Sequence, residues 1–452
     1  MNILKALIGH KESVAKQAVH ADLKDGSLGE HYDAESALKI ITQGAPVVLI
    51  TGRAGTGKST LIRALLERDG ANQVVLAPTG VAAVNVSGQT IHSFFRIPPR
   101  LHNLSEIQAR RGGNKLFKNL KRVIIDEISM VRADLMDAID HALKVNRQDP
   151  RPFGGVQMVL VGDFMQLPPI VREDDAAILQ NMGYETPYAF SAQCLQNAHV
   201  KHVELTKVHR QDNPEYIRLL GNLRSGHDLE ATIKTFNATC LGAHKRESTP
   251  IILTGTNAVA DKYNVVGLKA LSTAPVFFEG TITGEFKLDK DKLPVSDTLS
   301  LKVGARVMMA KNDTAKKWVN GSLATITKIE KHKIWVRLDD QSGEHEVSKA
   351  SWENIRYEWD IEKGSIEAKV VGSYSQIPVI PAWALTIHKA QGLTLDNVRI
   401  DLDRGAFASG QTYVALSRAR ALEGLSFATP LRVSDIIIDQ RLINGANNLF
   451  LG

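Results

Sequence analysis

The sequence predicts an α/β protein made of two parallel-sheet units, with a β-rich insertion in the second. Three observations carry this. From about residue 35, short apolar strands alternate with helix-period segments, the mark of a parallel sheet covered by helices. A glycine-rich loop joins one such strand to the next helix at 50–60, as in phosphate-binding α/β folds. Between about 270 and 370 the texture changes to strands and turns, in "ARVMMAKND", "GSLATITKIEKHKIWVRLDD" and "HEVSKASW".

Residues 1–30 read as a polar preamble. "VVLITGRAGTGKSTLIRALLER" follows as strand, loop and helix, with Leu61, Ile62, Leu65 and Leu66 on one helical face. Gly52, Gly55, Gly57, Lys58 and Ser59 match the phosphate-loop pattern. Glycines let backbone N–H groups wrap phosphates, the lysine reaches the β- and γ-phosphates, and the hydroxyl holds Mg²⁺. Ala54, Thr56 and Thr60 complete the expected nucleotide contacts in this loop.

"QVVLAPT", "KRVIIDE" and "VQMVLVGD" are further apolar strands ending in polar residues. In a parallel sheet such residues gather along one edge with the phosphate loop. Asp126 and Glu127 close the second of these strands. An acid there holds Mg²⁺ and its neighbour polarises the attacking water. "LVGDFMQLPPI" offers Gln166 as a γ-phosphate sensor. "TKVHRQ" and "YVALSRAR" offer Arg210 and Arg418 as fingers that stabilise charge on the transferred phosphoryl group; read alone, either fits a surface salt bridge equally well.

For nucleic acid, "APTGVAA" supplies Thr79 and Gly80, whose N–H groups can take a phosphate. "GQTIHSFF" supplies Thr90, His92 and Ser93, with Phe95 beside Phe94 for base stacking or for core packing. The run 110–122 carries six Lys or Arg and no acid, which suits a solvated helix face as well as a phosphate track. "LTIHKAQG" repeats the theme with Thr386, His388 and Lys389, and "TPIILTGTNAVADKYN" adds Asn257.

The net charge of +6 leans weakly toward a polyanionic partner. No apolar run reaches the length of a membrane span, and no signal-peptide pattern opens the chain. The two cysteines, Cys194 and Cys240, are far apart and lack metal spacing. We expect buried, reduced thiols, no metal cluster and a cytoplasmic protein.

"GRAGTGKST", "APTGVAA", "TIHSFF", "IIDEISM", "GDFMQLPP", "LTKVHRQ", "LTIHKAQG" and "YVALSRAR" occur in this order. The set resembles the petite-integration-frequency (Pif) helicases of superfamily 1, B branch, near the RecD and Dda helicases, over about residues 35–425. "EISMVRADLMDAIDHAL" resembles the segment that sets these helicases apart.

The resemblance implies two RecA-like P-loop domains, at 31–193 and at 194–272 with 371–452. It also implies a wedge insertion within about 95–118 and an SH3-like β-barrel at 273–370. It implies ATP and Mg²⁺ as cofactors, and 5′-to-3′ travel on single-stranded DNA that unwinds duplexes, forks and G-quadruplexes, in repair, recombination, replication and telomere maintenance. Carried over by position, Lys58, Asp126, Glu127, Gln166, Arg210 and Arg418 are catalytic, Ser59 and Asp126 hold metal, and Gly392 joins the nucleotide contacts. Pro78, Thr79, Gly80, Thr90, His92, Ser93, Phe95, Asn257, Thr386, His388 and Lys389 face DNA. The family's adenine-reading segment is not matched, since "HYDAESALKIITQGAP" carries only Gln43. DNA and DNA junctions are the expected partners, the chain is expected to be monomeric without them, and its compactness suggests a bacterial or viral host. An ATPase acting on RNA or DNA–RNA hybrids, and a nucleotide switch that separates no strands, are the alternatives.

Overall fold

The structure, a computed structural model, describes residues 31–69, 72–110, 114–242, 249–286, 293–339, 341–360 and 362–442. The preamble at 1–30 and part of the basic run, 111–113, lie outside the described residues.

The first lobe is built on seven strands: β1 (His31–Tyr32), β2 (Val47–Gly52), β3 (Gln73–Ala77), β4 (Gln89–Thr90), β5 (Arg122–Ile125), β6 (Gln157–Gly162) and β7 (Val200–Leu205). They pair in parallel in the order β1-β7-β2-β6-β5-β3-β4. Both faces are covered, so β2 and β3 are buried at every residue, as their unbroken apolar runs require. One face packs under the helix Lys58–Asp69 through Leu61, Ile62 and Leu65. The other packs under the helix Ala133–Arg147, which buries Met136, Ile139 and Leu143.

The strand β7 corrects an expected boundary. Residues 200–205 pair with β2 from Val47↔Val200 to Gly52↔Leu205. They belong to the first sheet, between β1 and β2, and not to the second unit; in sequence a short strand next to a domain boundary looks the same whichever sheet it joins.

The second lobe has β8 (Ile251–Thr254) at its centre. The insertion follows, as β9 (Val276–Glu279), β10 (Thr281–Gly284), β11 (Thr298–Leu301), β12 (Arg306–Met309), β13 (Leu323–Ile329), β14 (Lys333–Leu338), β15 (His345–Ser348), β16 (Ala350–Asp360), β17 (Ser365–Gln376) and β18 (Val379–Pro381). Its pairings are antiparallel and close on a core with Trp352, Tyr374, Val307 and Val336. The insertion therefore runs through Pro381; the expected end at 370 falls inside β17. Strands β19 (Ala384–Thr386), β20 (Val398–Asp401) and β21 (Leu425–Phe427) then complete a parallel sheet in the order β19-β8-β20-β21.

Two parts of the chain cross between lobes. The β16–β17 hairpin leaves the insertion and packs on the first lobe. Ile366 joins that lobe's core, the Ile366 N–H donates to Asn72 Oδ1 at 3.1 Å, and Tyr357 stacks edge-on with Phe94. The tail after Asp435 also crosses. Leu442 packs with Tyr188 and Phe190, and the Tyr188 hydroxyl donates to Asp439 Oδ2 at 3.1 Å.

Segment 96–110, within the expected wedge, lies against the helix Ala133–Arg147. Arg132 pairs with Asp134 at 2.7 Å and donates to the Arg100 carbonyl. The His102 N–H donates to Asp134 at 3.2 Å and the Arg110 N–H to Asn146 Oδ1 at 2.8 Å. The segment that marks the family resemblance thus holds Arg100 and His102 in place through Arg132 and Asp134.

Candidate nucleotide cleft and nucleic-acid face

The C-terminal ends of β2, β5, β6 and β7 bring the predicted groups to one edge. Gly55 and Gly57 have φ of +84° and +86°, the left-handed backbone that a phosphate-wrapping glycine loop uses. Lys58 Nζ donates to the carbonyls of Gly52 at 2.6 Å and Arg53 at 3.0 Å. Burial lowers its pKa, opposed by Asp163 and Glu127. Ser59 and Thr60 are exposed at the start of the helix. Thr56 Oγ1 donates to the Arg53 carbonyl at 3.0 Å and shapes the loop. The Ala54 N–H donates across the seam to the Tyr413 hydroxyl at 3.1 Å.

Asp126 and Glu127 follow β5. Burial raises the Asp126 pKa. Burial and then the Asp126 charge push Glu127 up to about 7, with Lys58 pulling the other way. Glu127 adopts a left-handed backbone, φ 53°, which costs roughly 1–3 kcal/mol. Its Oε2 accepts from Gln391 Nε2, a second-lobe side chain, at 3.0 Å. The same amide lies 3.4 Å from Gln166 Oε1. Gln166 Nε2 in turn donates to Asp163 at 3.3 Å. Gln391 thus links Glu127 and Gln166 from the opposite lobe.

The two arginines differ. Arg210 follows β7, and its backbone rests on the phosphate loop, where the His209 N–H donates to the Gly55 carbonyl at 2.8 Å. Its guanidinium crosses to the second lobe, donating to Thr394 Oγ1 at 2.9 Å, the Ser417 carbonyl at 3.2 Å and the Gly392 carbonyl at 3.4 Å. The expectation that Arg210 reaches in from the second unit is corrected: it starts on the lobe that carries the glycine loop. Arg418 does come from the second lobe. It is buried, donating to the carbonyls of Val414 and Leu393 and to Ser417 Oγ. Burial, then Arg210, pulls its guanidinium down to about 9, and the Glu127 charge acts on it across the cleft.

Four participants carried no reading from the motifs. Asp163 accepts from Arg224 at 3.3 Å and from the Tyr413 hydroxyl at 3.5 Å. Asp163, Tyr413 and Gln391 all sit inside the quoted blocks "GDFMQ", "YVALSR" and "HKAQG", a signal that polar neighbours of a motif residue take part. Arg224, in the helix Pro214–Ser225, had no such signal.

On the nucleic-acid side, Pro78, Thr79 and Gly80 are half-buried after β3, with Thr79 Oγ1 accepting from the Ala82 N–H at 3.2 Å. Thr90 Oγ1 caps the short helix Ile91–Phe95, accepting from the Ser93 N–H at 3.3 Å. Ser93 is exposed and accepts from Gln89 at 2.8 Å. His92 is half-buried, and burial lowers its pKa. Asn257, His388 and Lys389 are exposed on the second lobe, and Gly392 is exposed at the cleft with φ of +83°. Two readings change. Phe95 is buried, packed on Phe94 and Phe117 at ring distances of 4.9 and 6.2 Å, so it is a core residue and no base reaches it. Thr386 is buried and its hydroxyl accepts from the Lys389 N–H at 3.3 Å, holding the turn that presents His388 and Lys389.

Among the described residues, no helix is long and apolar enough to cross a membrane, and no group of three or more His, Cys, Asp or Glu side chains is arranged to hold a metal ion.

A family model described as PIF1-like helicase matches residues 34–229. The chain is 34% identical over 406 residues to the ATP-dependent DNA helicase PIF1 of Mus musculus, covering 86% of this chain and 58% of that one. It therefore spans about three-fifths of that relative's length. It is 32% identical over 423 residues to the ATP-dependent DNA helicase Pif1 of Bdellovibrio bacteriovorus, covering 90% of each. Among solved structures, Bacteroides sp Pif1 in complex with ADP-AlF4 aligns with a TM-score of 0.81 at 33% identity, over 92% of this chain and 96% of that one. Bacteroides Pif1 bound to ssDNA aligns over the same shares with a TM-score of 0.66 at 34% identity.

Proposed function

The chain belongs to the PIF1-like helicase family, and from that premise we propose that it is an ATP-dependent 5′-to-3′ DNA helicase. It would travel on single-stranded DNA and unwind duplexes, forks and G-quadruplexes. The observation that carries this is the single cleft shared by both lobes: Lys58, Asp126, Glu127 and Gln166 on one side, Gln391 and Arg418 on the other, with Arg210 spanning the two. Cleavage of one triphosphate there alters contacts on both lobes at once, as a motor requires.

The donor set suits the cofactors the family uses. An exposed hydroxyl on Ser59 and a carboxylate on Asp126 at the same sheet edge fit a Mg²⁺ ion, which is hard and takes oxygen ligands. When bound it neutralises charge on the phosphates. Lys58, now donating to loop carbonyls, exchanges them for phosphate oxygens. Glu127 orients water, and Gln166 reports the γ-phosphate to Gln391. On the other face, Pro78, Thr79, Gly80, Thr90, His92 and Ser93 of the first lobe and Asn257, His388 and Lys389 of the second hold successive backbone phosphates. Because phosphate contacts dominate, affinity falls steeply with salt. We place the protein in the cytoplasm of a bacterial or virus-infected cell, as a monomer until it meets DNA or a junction.

The test uses duplexes with a 5′ or a 3′ single-stranded tail. Unwinding is expected from the 5′ tail alone, with Lys58→Ala abolishing it while single-strand binding persists. Unwinding from the 3′ tail overturns the polarity. ATP hydrolysis that ignores single-stranded DNA supports the switch reading instead.

A further inference from the structure

Phe407 is a large aromatic residue left 61% exposed. It lies in the loop between β20 and the helix Gln411–Leu416. A lone exposed apolar side chain is ordinary on a protein surface; the surroundings of this one are not. Its ring leans on Gly255, where an added Cβ would sit 3.1 Å from Phe407 Cε1. The Phe407 N–H donates to Gln411 Oε1 at 3.0 Å. That leaves Gln411 Nε2, on a side chain only 1% exposed, with no hydrogen-bond partner. This nitrogen would lie 3.4 Å from the same Gly255 Cβ. A buried amide donor without an acceptor costs roughly 1–3 kcal/mol, so an acceptor from outside the chain is the natural remedy.

The position is informative. Gly255 follows β8 and precedes Thr256 and Asn257, both exposed at the start of the 13-residue helix Asn257–Lys269. Gly410, three residues after Phe407, lies against the Met165 and Gln166 carbonyls of the first lobe. The loop therefore stands at the seam, between the sensor and the face presenting Asn257.

We propose that Phe407 is a base-stacking platform for the single strand, with Gln411 Nε2 donating to the same nucleotide. This rests on the single-strand track of the proposed function and adds a base contact to a set made of phosphate contacts. Gly255 keeps the ring low and, having no Cβ, adds no atom against the buried Gln411 donor, which a nucleotide reaches as the ring shifts to stack on its base.

The test measures binding of fluorescent oligo-dT and of an abasic strand of equal length by anisotropy, for wild type, F407A, F407L and F407W. Loss of a stacked base weakens oligo-dT binding by roughly 5- to 150-fold in F407A and F407L. F407W stays near wild type, and its tryptophan emission is quenched by oligo-dT. On the abasic strand all four proteins bind alike, and the salt dependence of oligo-dT binding keeps its slope, because a ring neutralises no phosphate. Wild-type binding with F407A unchanged overturns this inference alone, as does an equal loss on both strands, which marks a purely structural role. Failure of wild type to bind either strand overturns the helicase reading and this inference with it.

Discussion

Replacing Gly55 or Gly57 by alanine separates two effects that share one loop. Both glycines have nearly the same φ, +84° and +86°, so an alanine at either pays about 1–2 kcal/mol for the left-handed backbone. Their surroundings differ. A Cβ on Gly57 meets nothing nearer than His209 Cδ2 at 3.8 Å, an ordinary contact. A Cβ on Gly55 would lie 2.5 Å from Arg210 Cβ and 3.3 Å from the Arg210 nitrogen. Neither can move without shifting the loop that carries the guanidinium to Thr394 and Ser417. Overpacking of this kind costs about 1–3 kcal/mol more. In urea unfolding without nucleotide, G57A should lose about 1–2 kcal/mol and G55A about 2–5 kcal/mol. The pair G55A/R210G removes the colliding Cβ and should recover about 1–3 kcal/mol relative to the sum of the single variants. Equal losses for G55A and G57A, or strict additivity with R210G, would refute the packing of Arg210 on the phosphate loop.

Other outcomes follow from the same coordinates. R418A should lower the DNA-stimulated ATPase rate by about 10³–10⁵ while nucleotide affinity, read with a fluorescent analogue, changes less than about tenfold. R418K should not rescue it, because one ammonium cannot serve Val414, Leu393 and Ser417 together. His102 is buried with Nε2 unpartnered, and burial pushes its pKa from 6.5 to about 4. A histidine held neutral in the fold takes up its proton on unfolding, so stability is intact above 6.5 and is lost as pH falls toward 4. At pH 5 the loss is about 2 kcal/mol, and His102→Gln should remove it from the pH dependence of urea midpoints. Burial raises the Cys194 thiol well above its ordinary value, and Cys240 is buried too. A thiol reagent should label neither in the native protein and both in denaturant.

What the sequence made legible was the contiguous chemistry. Strand, glycine loop and helix follow one another without a break from Val47 to Asp69, so Gly52 through Thr60 can be read as a phosphate loop without knowing the fold. Asp126, Glu127 and Gln166 were legible because parallel strands deliver their closing residues to one edge. What could not be read was anything decided by packing at long range. Phe95 satisfies a stacking pattern as well as a core pattern, and only the position of Phe117 decides between them. β7 could join either sheet until its register with β2 is seen. Arg210 was recognised as a cleft residue but placed on the wrong side, because a linker between two lobes belongs to both in sequence. Gln391 and Arg224 act through partners more than 60 residues away, and no local spacing announces such pairs.

The tail that crosses to Tyr188 and Phe190 has a practical consequence. Although it descends from the second lobe, at Leu442 it lies against the first, next to Phe164 and Met165 of the loop that carries Gln166. A dye attached at the exposed Arg441 would belong to the second lobe by connectivity and to the first by contact. Its distance to a second label on the insertion would then report the docking of that tail at each turnover, without a probe in the cleft itself.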